Sequence, residues 1–232
     1  MQTITNFTSA AKTIGVELFS PAGAPNGGAI VLAYGSDGFV DNAHGPWATM
    51  LRGYATELAG KGFTAVVPDY FQRTGTHPGD IDYENGGARL IWLHRDEWQA
   101  TLGDAVAYAQ TLPGVNRQRI GLLGFSLGGH LCLRIRSSAK VLVEFFAPIL
   151  DGLGPDRVPS LLAQIHHGRG DKLVAFDDNA KRIDQELRAG GVTTELWSYA
   201  GAKHGFAGDD ASNTKARTLS KTRTIDFFTA HL

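Results

Sequence analysis

"GLLGFSLGG", residues 121–129, leaves an apolar run, bends through glycine around one serine and re-enters an apolar run. Two readings fit it: Ser126 is a nucleophile carried on a tight strand-to-helix turn, or the stretch is only a glycine-rich bend. Gly124-Phe125-Ser126-Leu127-Gly128 matches G-x-S-x-G, in which the serine sits on a sharp turn and the flanking glycines leave room for the neighbouring strand and helix. Gly129 extends that clearance. The pentapeptide alone separates the readings poorly, because the same bend occurs without the chemistry. Its surroundings decide.

Those surroundings alternate between two periods. "AIVLAY" (29–34), "FTAVVPD" (63–69), "RIGLLGF" (119–125), "KVLVEFFA" (140–147), "LLAQIHHG" (161–168) and "TTELWSY" (193–199) read as buried strands, and "TIGVELFSPAG" (13–23) as an added antiparallel edge. Between them, Trp47, Met50, Leu51, Tyr54 and Leu58 recur at helical spacing, as do Trp98, Leu102, Ala105 and Ala109. Phe176, Ala180, Ile183 and Leu187 mark a third helix, and Ile225, Phe228 and Leu232 a C-terminal one. The pattern predicts an α/β fold with a mostly parallel, doubly wound sheet and helices on both faces, as one domain over residues 1–232. Residues 71–95, "FQRTGTHPGDIDYENGGARLIWLHR", break both periods and predict a long irregular excursion at the sheet edge, lining the pocket.

Basic and acidic side chains nearly cancel, 22 against 23, so no long-range field favours nucleic acid or a membrane surface. The expected partner is a small molecule, met by a monomer or small homo-oligomer. Cys132 is the only cysteine, which excludes an intramolecular disulfide and suits a reducing compartment. The opening "MQTITNFTSAAKTIG" has neither the apolar block of an export signal nor that of a membrane span. A cytoplasmic location is the expectation.

A serine hydroxyl needs a base to take its proton, and the imidazole that does so needs a carboxylate to fix its tautomer. Asp171 in "IHHGRGDKLV" (165–174) and His204 in "YAGAKHGF" (199–206) follow Ser126 in the order that G-x-S-x-G hydrolases require, each just past a predicted strand end. Taken alone, Asp171 reads as a turn residue and His204 as a loop histidine. With Ser126 they form a candidate triad. The oxyanion of a tetrahedral intermediate would then meet the backbone N–H of Leu127 and that of Ser36, in the loop "YGSDGF" (34–39). Asp37 in that loop reads equally as a turn cap or a substrate contact. His166 and His167 end a strand and read as structural, and no histidine group has the spacing of a metal site. The chain lacks H-E-x-x-H, a P-loop lysine and G-x-G-x-x-G. No metal and no cofactor are expected.

From about Ile30 onward, through "VVPDYF" (66–71), "IGLLGFSLGG" (120–129), "IHHGRGDKLV" and "KHGFAG" (203–208), the sequence resembles the dienelactone hydrolase family of α/β-hydrolases. The resemblance implies an α/β-hydrolase fold with a minimal cap and hydrolysis of esters or lactones. The best-known members use cysteine in G-x-C-x-G-G, where this chain has Ser126, and that change implies serine-esterase chemistry. They also carry a glutamate where this chain has Gly35, and an arginine past the histidine that holds the substrate carboxylate. Here that segment reads His204-Gly205-Phe206-Ala207-Gly208. Losing such an anion clamp removes about 1.5–3 kcal/mol of binding, unless Arg73 or Arg89 replaces it. The pocket is expected to use Tyr34, Phe39, Tyr83, Trp92 and Phe206. The resulting reading is an ester or lactone hydrolase acting through an acyl-enzyme on Ser126. The alternatives are a thioesterase or small peptidase with the same three residues, and a catalytically silent binding homologue.

Overall fold

Runs of Val, Ile and Leu with no polar alternation must be buried on both faces, and they pair here at the centre of one sheet. The computed structural model describes residues 1–232. It contains β1 Gln2–Ser9, β2 Lys12–Phe19, β3 Ala29–Ala33, β4 Thr64–Pro68, β5 Ile120–Phe125, β6 Val141–Phe145, β7 Leu162–Gly168 and β8 Thr193–Tyr199. Their order is β1-β2-β4-β3-β5-β6-β7-β8. The pairs β1–β2 and β2–β4 are antiparallel and the others parallel. Every residue of β3, β4, β5 and β6 is buried.

The helices are α1 Trp47–Gly60, α2 Arg89–Ala109, α3 Leu127–Arg134, α4 Ala180–Ala189 and α5 Ala211–His231. α1 packs with α5 over one face of the sheet, α2 with α3 over the other, and α4 covers β7 and β8. No helix is long and apolar enough to cross a membrane.

Three elements differ from the sequence reading. β1 lies outside the predicted edge, because its "QTITNFTS" buries only Phe7 and Ser9 and so carries little apolar signal. β8 is an edge strand rather than a buried one: only Thr194 and Tyr199 are buried, while Trp197 is exposed beneath the Arg223 guanidinium at 3.8 Å. Residues 71–95 are not one irregular excursion. A short 3-10 helix, Tyr70–Arg73, leads into turns, and α2 begins at Arg89. The first turns of α2 bury only Ile91 and expose Trp92 and Leu93, so their sequence lacks a helical stripe.

Two buried histidines couple this core to pH. His166 Nε2–H donates to Gln164 Oε1 at 2.7 Å, and its Nδ1 accepts from the Tyr199 hydroxyl at 2.8 Å, so the ring is neutral. Burial holds it well below its ordinary value, with Arg223 adding to the effect. Burial also pushes His130 down to about 4. Unfolded histidines bind a proton near pH 6.5 that these rings refuse when folded, so stability is present above that pH and is lost as pH falls. Urea unfolding is expected to show a loss on the order of 3 kcal/mol from His130 alone between pH 6.5 and about 4. A His130→Gln variant should show a shallower dependence. A midpoint that does not move with pH over that window would contradict the assignment.

Candidate active site

Because β3 leads to β4 on one side and β5 lies on the other, the chain reverses direction across the sheet between β3 and β5. The crevice beyond the C-terminal ends of such a strand pair is where open α/β sheets bind ligands. Ala33 and Gly124 are in register at those ends. The loop after β3 and the turn after β5 therefore face each other.

Ser126 stands between the last residue of β5 and the first of α3, with φ 51° and ψ −117°. A non-glycine residue in that region stores strain of order 1–3 kcal/mol, and here it turns the side chain away from both elements. The flanking glycines make the turn possible. A Cβ on Gly124 would come 2.5 Å from the Gly128 carbonyl oxygen, and one on Gly128 would collide with the carbonyl oxygens of Tyr34 and Ala33. A Cβ on Gly129 would meet that of Ala147 at 2.9 Å. The Ser126 N–H donates to Phe145 O at 2.9 Å, which ties the turn to β6.

Asp171 lies in the loop after β7, with its side chain fully buried. Oδ1 accepts from the N–H groups of Leu173 and Val174 at 2.9 and 2.8 Å. Oδ2 is left facing His204 Nδ1 at 2.7 Å. Burial alone would raise this carboxyl, but hydrogen bonds from His167, His204 and the Val174 N–H outweigh it and hold the group well below the usual carboxylate range. His204 begins a short 3-10 turn after β8, and Lys203 N–H anchors that turn to α5 through Asn213 Oδ1 at 2.8 Å. Gly205 takes φ 67°, and the Trp47 ring fills the space where its Cβ would stand. With Asp171 as acceptor, His204 carries its proton on Nδ1. Nε2 then accepts from Ser126 Oγ at 3.1 Å.

Ser126 and His204 line a cavity of about 620 Å³, within the ordinary size of small-molecule sites. Ser36 lines it too, in a turn closed by Gly38 N–H to Gly35 O at 3.1 Å. Tyr83 is the one aromatic of the sequence-derived set at the cavity, its hydroxyl donating to Ser36 Oγ at 3.0 Å. Leu127 and Asp171 lie buried behind the wall. The other aromatics are elsewhere. Tyr34 is fully buried, bonded to Asp69 at 2.7 Å and to the Phe71 N–H at 2.9 Å, and so braces the 3-10 helix. Phe39 stacks on Tyr34 and under Arg52. Trp92 is 55% exposed on α2 beside Arg95. Phe206 faces a separate cavity of about 220 Å³ on the α1–α5 side.

The sequence reading missed the apolar wall made by Trp47, Met50 and Leu51 of α1, together with Phe146. The α1 residues carried a signal, the helical stripe, but it looked like core. Phe146 had none, since its φ of 41° is what turns the ring beside His204 at 4.9 Å. Gly35 touches the site directly: a Cβ there would stand 3.4 Å from that of Ser126. Neither arginine proposed as an anion clamp reaches the cavity. Arg73 donates to Ser9 Oγ at 2.7 Å and lies 3.8 Å from Glu97, and Arg89 is exposed at the start of α2. Asp37, Asp82 and Glu84 line the cavity, and no lysine or arginine does.

Comparison with known proteins gives a consistent picture. The model of the dienelactone hydrolase family matches residues 39–232. A Synechocystis sp. protein named "Putative carboxymethylenebutenolidase" is 26% identical over 188 residues, covering 73% of this chain and 75% of that protein. Human mitochondrial acyl-coenzyme A thioesterase 2 is 29% identical over 146 residues, 63% of this chain but only 26% of its own length. Among solved structures, a dienelactone hydrolase-like promiscuous phosphotriesterase from metagenomic libraries superposes with a TM-score of 0.76. It is 20% identical, over 100% of this chain and 98% of its own.

Proposed function

The chain belongs to the dienelactone hydrolase family, and on that footing we propose that it is a cofactor-independent serine hydrolase of carboxylic esters or lactones. The observation that carries the reading is the continuous line from Ser126 Oγ through His204 to Asp171, with contacts of 3.1 and 2.7 Å. Ser126 Oγ attacks the ester carbonyl while His204 Nε2 takes its proton. Asp171 stabilises the imidazolium that forms. The N–H groups of Leu127 and Ser36 receive the oxyanion, and collapse expels the alcohol with the proton returned by His204. Water, deprotonated by the same imidazole, then releases the acid from Ser126. A buried lone cysteine, Cys132, fits a cytoplasmic setting, and a net charge of only −1 fits a small-molecule partner rather than nucleic acid or a membrane.

A serine-directed phosphonate followed by mass spectrometry is expected to give one adduct, on Ser126, that disappears in His204→Ala. Labelling elsewhere, or none, would remove the enzymatic reading and leave a binding protein.

The cavity's charge narrows the substrate. With three carboxylates and no lysine or arginine in its lining, and with His44 paired to Asp37 at 2.8 Å, it offers no free permanent cation to a substrate carboxylate. Hydrogen bonds from Asn85 and the Glu84 N–H hold Asp82 below the usual carboxylate range. Similarity to an acyl-coenzyme A thioesterase favours a second reading, thioester hydrolysis, with the same residues in the same roles. The phosphates of coenzyme A would meet these acids, so neutral oxygen esters and lactones come first. On a panel of p-nitrophenyl esters, lactones and acyl-coenzyme A thioesters, neutral substrates are expected to lead carboxylate-bearing analogues by about 10- to 100-fold in kcat/KM. Faster turnover of the anionic members would overturn the charge argument while leaving Ser126 as nucleophile.

A further inference from the structure

The buried ionisable groups that this hydrolysis leaves unused gather behind Asp171. Its Oδ2 has a second imidazole against it: His167 Nε2 lies 3.4 Å away, and 2.7 Å from the Val174 carbonyl oxygen. A carbonyl only accepts, so Nε2 carries a proton and that N–H is shared between Val174 O and Asp171 Oδ2. On the other side of the ring, His167 Nδ1 is buried with no polar partner, and so is Glu144 Oε1. Both residues are fully buried. Glu144 pairs in register with Ile165 of β7, so it projects from the same face of the sheet as His167, two residues further on. Glu144 Oε2 is occupied by the Ala147 N–H at 2.9 Å, which leaves Oε1 as the unsatisfied acceptor on that face. An acid and a base, each orphaned on adjacent strands, are costly separately and stabilise one another as a charge pair once the proton passes from the acid to the base, with no direct hydrogen bond between them.

We propose that His167 is a positioning residue for Asp171, and that Glu144 keeps its imidazole doubly protonated so that the Nε2–H holds Asp171 Oδ2 in line with His204. The proposal rests on Asp171 being the acid of the proposed triad. One proton moves, from the Glu144 carboxyl to the imidazole, and no bond between heavy atoms changes. Burial works against a charged ring here, but the Asp171 hydrogen bond and the Glu144 charge raise His167 above its ordinary value. Burial likewise pushes Glu144 up to about 7, against the His167 charge and the Ala147 N–H. From the surrounding elements, His204 reaches His167 only through Asp171, and His130 of α3 is turned to the Pro148 carbonyl. Phe176 packs edge-on against the ring, with Arg169 and Lys181 stacked on Phe176.

The test has two arms on the full chain. With ¹⁵N-labelled histidine, NMR of the wild type at neutral pH is expected to show the His167 ring doubly protonated, assigned by its loss in His167→Gln. In Glu144→Gln it should become the singly protonated Nε2–H form. The second arm is the pH profile of kcat/KM on a neutral ester, per active site counted by phosphonate titration. Removing the donor in His167→Leu leaves the full Asp171 charge acting on the His204 imidazolium, so the acid limb should move up by about half a pH unit. His167→Gln, whose amide N–H can replace the ring N–H, should bring the limb most of the way back. A merely structural role would lower stability without moving the limb. A wild-type His167 ring that stays singly protonated from about pH 5.5 to 8, or an acid limb unmoved in His167→Leu, would overturn the proposal. If His167→Leu does not fold, the NMR arm decides. That arm does not depend on turnover, so a chain without esterase activity would defeat the functional reading and still answer for the Glu144–His167 pair.

Discussion

Ser126→Ala is expected to lower kcat/KM on the best ester of the panel by about 10⁴- to 10⁶-fold while leaving far-UV circular dichroism and unfolding unchanged. The hydroxyl is the only group of the proposed site that forms a bond to substrate, and the substitution only removes an atom from a cavity wall. His204→Ala should cost about as much, and the double variant little more, because the two groups act as one unit. Asp171→Asn separates orientation from bulk. The N–H groups of Leu173 and Val174 both point at Oδ1, so the amide oxygen must stay there and the amide NH₂ must take the place of Oδ2. It would then face His204 Nδ1 as a donor, forcing the proton onto Nε2, where it cannot accept from Ser126. A loss of about 10⁴-fold is expected. Activity within tenfold of the wild type would mean that Asp171 does not set the tautomer.

The parts of this molecule that sequence exposes are those where one physical requirement acts on several neighbouring residues at once. Burial on both faces forces the unbroken apolar runs of β3 and β5, and the elbow forces glycine at 124 and 128. Where the requirement is diffuse, the signal disappears. β1 buries two side chains of eight and is held mainly by its ladder to β2, formed by the backbone. The turns before α2 are closed by Asp82, whose Oδ1 accepts from the N–H groups of Glu84 and Asn85, and nothing in a run of Gly, Asp and Asn marks where they end and a helix starts. Tyr83 reached the cavity, but Tyr34 failed for a different reason: an aromatic near a strand end can face either side of it. Tyr34 turned toward Asp69 and Tyr70, whereas Phe146 reached the cavity only through a left-handed backbone. A hydrophobic residue's position in the chain says that it will be buried, and only the local φ and ψ say against what.

Gly35 and the acid residues of the cavity bear on the substrate class proposed above. With no side chain at position 35, the space beside Ser126 Cβ belongs to the substrate. With Arg73 committed to Ser9 and Glu97, no arginine faces the acid residues of the cavity, of which Asp37 is held by His44 and Asn42 at 2.8 Å. Steric room and carboxylate side chains thus occur together next to Ser126.

Gly128→Ala should be among the most destabilising single-methyl additions in the chain, although helix propensity predicts the reverse. Glycine inside a helix costs up to about 1 kcal/mol relative to alanine, so on propensity alone the change in the first turn of α3 stabilises. The added methyl, however, would run into the carbonyl oxygens of Tyr34 and Ala33. These are backbone atoms of and just past β3, which sits in the middle of the sheet and cannot retreat without breaking its ladder to β5. A loss of about 3 kcal/mol or more is expected from overpacking against a rigid neighbour. Gly103 supplies the control: it lies within α2, and a Cβ there meets nothing within 4 Å. Gly103→Ala should gain about 0.5–1 kcal/mol by the propensity that Gly128→Ala cannot realise. Because α3 would be pushed away from β3, Ser126 would also be displaced from His204, so the folded fraction of Gly128→Ala should react slowly with the phosphonate. Urea midpoints for the two variants that shift in the same direction would show that the glycine at 128 answers to helix propensity and not to the close approach of α3 to β3.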